Sequence, residues 1–169
     1  MDEIKYEKIS APFRSESKRK ILLLLNKMIT LLGYISYPIL VILVFILQKE
    51  QLLKVIMIPA TGFFLLTFIR KGINRKRPYE TLNIQPLIIK DKKGHSMPSR
   101  HVFSMTIIAV SWFTISPIIG SILLICSLIM GMIRVVGGVH YPSDVIGGAL
   151  IALILLLIEI IIIEKKELL

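Results

Sequence analysis

The chain has 169 residues, 54% of them hydrophobic, and a formal net charge of +10; its mean hydropathy of +0.76 lies far above that of a soluble domain this size. That balance excludes an ordinary water-soluble domain and places the chain among small integral membrane proteins. The single cysteine, Cys126, sits inside an apolar run, which rules out an intrachain disulfide and argues against a cysteine-built metal site.

Residues 1–20 mix six Lys/Arg with four acids and end on Lys18, Arg19 and Lys20, so a flexible basic tail against the membrane surface is expected. Hydropathy then predicts five crossings, at about residues 21–47, 52–69, 101–116, 118–136 and 143–163. The first run is overlong and contains Gly33 and Pro38, features that predict a kink, a tilt or an interfacial start. It is too long for the apolar region of a cleaved signal peptide, and no small-residue cleavage site is evident. The third run is marginal for a helix that needs roughly 20 apolar residues to span. Between the second and third crossings lies a loop from Lys71 to Ser99, broken by Pro78, Pro86, Gly94 and Pro98. Loops of that length in a compact protein are usually functional or mobile.

Ser99 is placed as the N-cap of the third helix, its hydroxyl accepting from a first-turn amide. Pro117 leaves almost no room between the third and fourth crossings, which predicts a tight antiparallel pair. After the fourth, Gly137 and Gly138 permit positive φ or close backbone approach, and Pro142 suits the first turn of the fifth. His140 and Asp144 therefore stand four positions apart at that helix mouth. The expected fold is all-α: a polytopic transmembrane bundle of about five helices, with residues 1–20 as a basic tail and 21–169 as one domain.

All three histidines fall in the polar interval from Arg70 to Asp144, together with three clusters: Arg70–Pro78 (RKGINRKRP), Pro98–His101 (PSRH) and Arg134–Asp144 (RVVGGVHYPSD). The loop feeds the third helix and the third–fourth hairpin returns the chain to the same side, so topology alone puts all three clusters on one membrane face. Arg70, Arg77, Arg100 and Arg134, with Lys71 as a further point charge, suit a phosphate dianion, whose oxygens match the planar guanidinium fork. Ser99 and the first amides of the third helix add the anion preference of a helix N-terminus. Two imidazoles can divide the chemistry, one attacking phosphorus and one protonating the leaving oxygen. Asp144 can hold the second ring N–H of His140, leaving His101 as the acid. His95 reads as a plain solvated loop residue, and Arg75, Lys76, Lys90, Lys92 and Lys93 as weak contacts to anionic lipid or a second phosphate.

The order Arg-x6-Arg-Pro, Pro-Ser-x-His and Arg-x5-His-x3-Asp resembles the PAP2 superfamily, the type 2 phosphatidic acid phosphatases and relatives such as bacterial undecaprenyl diphosphate and phosphatidylglycerophosphate phosphatases. The resemblance implies a PAP2-like core, His140 as nucleophile, His101 as general acid and Asp144 as the residue orienting His140. It further implies that Arg70, Arg77, Ser99, Arg100 and Arg134 hold the phosphate, with no metal or other cofactor. This sequence departs from the family pattern at three points: Arg70 (or Lys71 by a register shift) for the usual lysine, Arg100 for glycine, and Ile133 for the serine that commonly precedes the arginine.

The expected activity is hydrolysis of a lipid phosphate through a phosphohistidine, with undecaprenyl diphosphate first and phosphatidylglycerophosphate or phosphatidate behind it. A lipid phosphotransferase and a noncatalytic lipid-phosphate binding or transport protein are the alternatives. The basic residues flank membrane segments and no base-stacking module accompanies them, so membrane lipids are expected as partners and nucleic acid is not. Nothing in the pattern fixes an oligomeric state. The resemblance puts the site on the extracytoplasmic face of the cell membrane. The positive-inside tendency opposes this, because the tail and loop charges share the site face while the other face offers chiefly Lys49, Lys54, Lys165 and Lys166.

Overall fold

A computed structural model describes the backbone of residues 1–167 and the side chains of residues 1–158; the side chains of Lys165 and Lys166 lie outside the described residues. The chain folds as α1 (Glu3–Ser10), α2 (Glu16–Leu47), α3 (Leu52–Ile73), a four-residue α4 (Pro78–Thr81), α5 (Arg100–Trp112), α6 (Pro117–Val136) and α7 (Pro142–Glu167), with short 3-10 turns at Ala11–Phe13 and Lys49–Gln51. Five of these match the apolar runs. Three helical stretches, Glu16–Leu47, Lys49–Thr81 and Pro117–Val136, have the length and hydropathy of a membrane span.

The marginal third run forms the shortest of the five helices and lies at the centre of the bundle. α5 has 13 residues, about 20 Å of helix at 1.5 Å per residue, and ends at Trp112, four residues before the expected boundary. It packs against α2, α3, α6 and α7, burying Val102, Phe103, Met105, Ile107, Ala109 and Trp112. Its neighbours screen it from lipid, so it need not match the bilayer by itself. The outer helices instead expose large apolar side chains outward, among them Leu24, Phe45, Phe64, Leu128 and Met132, a belt that suits hydrocarbon and not water.

α2 runs without interruption for 32 residues through Gly33 and Pro38, roughly 48 Å and thus well beyond a hydrocarbon core of about 30 Å. Its first turns project on the site side, where Arg19 Nε donates to the Leu87 carbonyl at 3.1 Å. The α5–α6 hairpin is as tight as Pro117 requires: the Ser116 hydroxyl accepts from Ile119 N, and Thr106 and Ser127 pair their buried hydroxyls at 2.8 Å.

The N-terminal residues correct the expectation of a flexible tail. α1 is capped by Asp2, which accepts from Lys5 N at 2.8 Å, and its Tyr6 is fully buried. The Tyr6 hydroxyl donates to the Gln85 carbonyl at 3.2 Å, and the phenol lies under Gly138, where an added Cβ would come within 2.8 Å of the hydroxyl oxygen and 3.0 Å of the ring. Gly138 has φ +74, a conformation glycine adopts without steric cost, and it stands two residues before His140.

Candidate active site

The site forms where α3 ends, α5 and α7 begin, and α6 hands the chain to a short turn. Gly148 allows the approach of α7: a Cβ there would lie 2.6 Å from the Ser99 carbonyl. Ser99 N donates to the Asp144 carbonyl at 2.8 Å, tying the two helix starts together. The long loop is pinned over this end by Ile88 N to Gly137 O at 3.1 Å and Ser96 N to Arg75 O at 2.8 Å, and by Glu80 Oε2, which accepts from Arg77 N and Gly94 N.

Asp144 is fully buried. Its Oδ2 accepts from Ser96 Oγ at 2.5 Å and from Tyr141 N at 2.9 Å and faces His140 Nδ1 at 3.4 Å; its Oδ1 accepts from Arg75 Nη1 at 2.9 Å. A carboxylate with these partners is held in one orientation, and it fixes the His140 ring with Nδ1 inward. His140 lies in the turn between α6 and α7, and burial drives its imidazole down to about 4 against the opposing pull of Asp144. The ring is therefore neutral at neutral pH, the form that carries a nucleophilic lone pair.

His101 and His140 line the same cavity, of about 410 Å³, together with Arg70, Lys71, Arg77, Arg100, Lys90, Lys92, Lys93 and His95. Convergence of the two imidazoles is what the three motifs require. The arginines differ in what they have free. Arg134 is 1% exposed, and its Nε and Nη1 have no hydrogen-bond partner. A buried guanidinium without an acceptor is costly, and these two donors have none among the described residues. Arg77 is buried and clamps the turn carrying the nucleophile candidate, donating from Nη1 to the Val139 carbonyl and from Nε to Gly94, each at 3.1 Å.

Arg70 lies inside the last turn of α3, and its two terminal nitrogens donate to the carbonyls of Ser96, Pro98 and His95. These contacts brace the loop, while the side chain also lines the cavity. Lys71 is exposed at the rim. Ser99 occupies the N-cap position of α5 but makes no capping bond; its buried hydroxyl has no partner, which leaves it available to an incoming oxygen. Arg100 leans toward α3, donating to Thr67 Oγ1 at 3.2 Å with the Phe63 ring 5.3 Å away, and its Nε is buried without a partner. Ile133 is buried in the apolar core.

Ser96 was not singled out from the sequence, and Arg75 was read only as a weak contact to anionic lipid or a second phosphate. Ser96 and Arg75 both bind Asp144, and Arg75 also stacks 4.2 Å from the Tyr141 ring. His95 is not merely solvated: its Nδ1 lies 3.0 Å from the Arg70 carbonyl. Lys90 is pushed down to about 8 by burial and by nearby Arg134 and Arg77. Among the described residues no group of three or more His, Cys, Asp or Glu could hold a metal ion.

Fold and site together define a polytopic helical membrane protein with a histidine pair in an arginine-walled cavity at one end of the bundle. The chain belongs to the PAP2 superfamily, whose family model matches residues 51–167. It is 30% identical over 112 residues to the lipid A 1-phosphatase of Rhizobium johnstonii, a match covering 60% of this chain and 46% of that protein; the chain thus spans about half the length of this curated relative. The structure is similar to the crystal structure of Aquifex aeolicus LpxE, with a TM-score of 0.73 and 25% identity over 94% of each chain. It also shares its fold with the first transmembrane PAP2 type phosphatidylglycerolphosphate phosphatase from Bacillus subtilis, with a TM-score of 0.63 and 21% identity over 96% of this chain and 94% of the other.

Proposed function

We propose that the protein is a membrane phosphatase that removes a phosphoryl group from a lipid through a phosphohistidine at His140. The observation carrying this reading is that His101 and His140 line one basic cavity while buried Asp144 stands behind His140 Nδ1. His140 Nε2 attacks phosphorus, a P–N bond forms and the P–O bond to the lipid breaks. His101 gives its proton to the departing oxygen, then takes one from water as that water attacks the phosphohistidine and frees both phosphate and His140. Arg134, Arg77 and the Ser99 hydroxyl hold the phosphoryl oxygens, whose charge grows in the transition state. Asp144 stabilises the His140 cation created by attack.

A lipid substrate is supported by an apolar groove of about 720 Å³ between α2, α3 and α5, lined by Tyr34, Pro38, Phe63, Phe103 and Ile108. Thr67 borders both this groove and the polar cavity. Undecaprenyl diphosphate is the first substrate proposed, followed by phosphatidylglycerophosphate and phosphatidate; the name of the Rhizobium relative adds lipid A 1-phosphate. We propose the extracytoplasmic face for the site, as the family resemblance implies. On that reading much of the loop charge serves phosphate, and three of the six basic residues in 1–20 are paired with acids, at Lys5–Asp2, Arg14–Glu7 and Lys20–Glu16.

The test is phosphate release by purified protein in detergent from each of these lipids, with a chelator present throughout. Release from at least one, abolished in His140→Ala, is the expected result. A folded protein that releases phosphate from none defeats the reading.

A further inference from the structure

Of the lysines in the long loop, Lys71, Lys76, Lys92 and Lys93 are exposed, and Lys90 alone is half-buried. Its position follows from two anchors. On one side Leu87 and Ile88 are buried, and Ile88 N donates to the Gly137 carbonyl at 3.1 Å. Gly137 leaves room for that approach, since a Cβ there would lie 2.4 Å from Ile88 Cδ1. On the other side the Lys92 carbonyl accepts from the Tyr79 hydroxyl. Between the anchors the side chains alternate as in an extended segment: Ile89 is 74% exposed, Lys90 lines the cavity of His101 and His140, and Asp91 is exposed.

That inward turn gives the ammonium nothing negative to meet. Among the described residues no carboxylate stands within ion-pair distance of Lys90, its neighbour Asp91 included. Arg70 of α3, Arg77 at the start of α4, Arg134 of α6 and Lys92 of the loop are the charges that act on it. Lys71, Lys93, His95, Arg100, His101 and His140 complete the titratable lining of the cavity, and no acid is among them. Burial and the surrounding like charges hold the amine at about 8, below its ordinary 10.5. A lysine turned into a wall of cations is unfavourable until an anion stands between them.

We propose that Lys90 is a further catalytic residue, whose ammonium donates to an oxygen of the phosphoryl group that Arg134, Arg77 and Ser99 hold. The inference rests on the phosphatase reading above and adds a ligand from the loop to that same site; no bond is made or broken beyond those already described. It has a consequence the arginines do not share. A guanidinium keeps its charge well above the working range, whereas an amine held at about 8 loses its charge as pH rises through that value. Because kcat/KM reports the free enzyme, it should fall above about pH 8, with roughly a tenth of the protein still carrying the ammonium at about pH 9.

The test follows kcat/KM in detergent between about pH 6.5 and 9.5 for wild type, Lys90→Met and Lys90→Arg, using the lipid phosphate named above that wild type hydrolyses fastest. Affinity for inorganic phosphate is measured on the same proteins by calorimetry. Lys90→Met is expected to lose at least tenfold in kcat/KM at neutral pH and to show no fall through pH 8. Lys90→Arg, whose charge persists, should keep at least a third of the wild-type value at neutral pH and hold it up to about pH 9. Phosphate affinity should follow the same order. A smaller loss in Lys90→Met, or a fall above pH 8 that Lys90→Arg leaves in place, overturns the assignment while leaving hydrolysis standing; if Lys90→Met does not fold, the profile of Lys90→Arg decides alone. Release from none of the lipids overturns the phosphatase reading itself. Phosphate affinity that falls through pH 8 in wild type but not in Lys90→Arg would then still assign Lys90 to the anion, and the same fall in both would not.

Discussion

Replacing Asp144 with asparagine keeps the shape of a fully buried side chain and removes its charge. Attack on phosphorus converts His140 into a cation facing Asp144 Oδ2 at 3.4 Å. Coulomb's law gives that pair about 5 kcal/mol at an effective dielectric of 20, and each 1.4 kcal/mol is about tenfold in rate. Arg75 already shares the carboxylate charge at 2.9 Å, and the asparagine oxygen retains part of the interaction. The expected loss is therefore nearer ~10³-fold in kcat than the full Coulomb figure. Asp144 lies behind the imidazole and not on the phosphoryl group, so KM should change by less than about threefold. Stability should also fall, because Asp144 is fully buried and both of its oxygens accept hydrogen bonds, so the asparagine NH2 faces at least one donor. The assay is steady-state phosphate release with a thermal melt of each protein. A folded Asp144→Asn protein with kcat within tenfold of wild type refutes the orienting role.

Arg134→Gln should lower kcat/KM by about 10²-fold or more yet leave the phosphate-free protein at least as heat-stable as wild type, since it removes a buried charge without a partner; a large drop in melting temperature would show that Arg134 has a structural partner. Tyr6→Ala should cost about 3 kcal/mol of stability by emptying a fully buried site and lower kcat through the Gly138 turn, whereas Tyr6→Phe, losing one hydrogen bond to Gln85, should cost about 1 kcal/mol; equal melting curves for all three proteins would show that α1 does not brace the site. His140 has a folded value near 4, below its ordinary 6.5, so the unfolded chain binds the extra proton between these values. Stability should accordingly be complete above about pH 6.5 and decline as pH falls toward 4, more steeply in wild type than in His140→Gln, while kcat/KM falls as pH drops through about 4. Parallel melting-temperature profiles for the two proteins would contradict this.

Five helices were legible in the sequence because apolar runs bounded by Pro117, Pro142 and charged residues leave little choice in a bilayer. The convergence of His101 and His140 was legible for the same reason, since hairpin topology returns α6 to the face where α5 starts. α1 was not: its eight residues carry few apolar groups, and its order rests on long-range contacts, chiefly Tyr6 against Gln85 and Gly138 and Glu3 accepting from Asn83 N at 2.7 Å. The loop residues were hidden by the same kind of cause. Ser96 and Arg75 reach Asp144 through a backbone path set by long-range bonds to carbonyls, and no period or spacing marks such a path. Arg70 was read as a phosphate ligand from its planar guanidinium and the Arg-x6-Arg-Pro spacing; neither signal marks the loop carbonyls to which its terminal nitrogens donate in the fold. The Ser99 hydroxyl was read as a cap; in the fold its amide is committed to the Asp144 carbonyl and the hydroxyl remains free.

The covalent step is the most direct test of the account. Protein is mixed rapidly with a lipid phosphate carrying radiolabelled phosphorus, quenched without acid, and digested to locate the label. The account predicts an acid-labile adduct on His140 in wild type, none in His140→Ala, and slower formation in His101→Ala. Label that persists in folded His140→Ala, or that maps to another side chain in wild type, would contradict it.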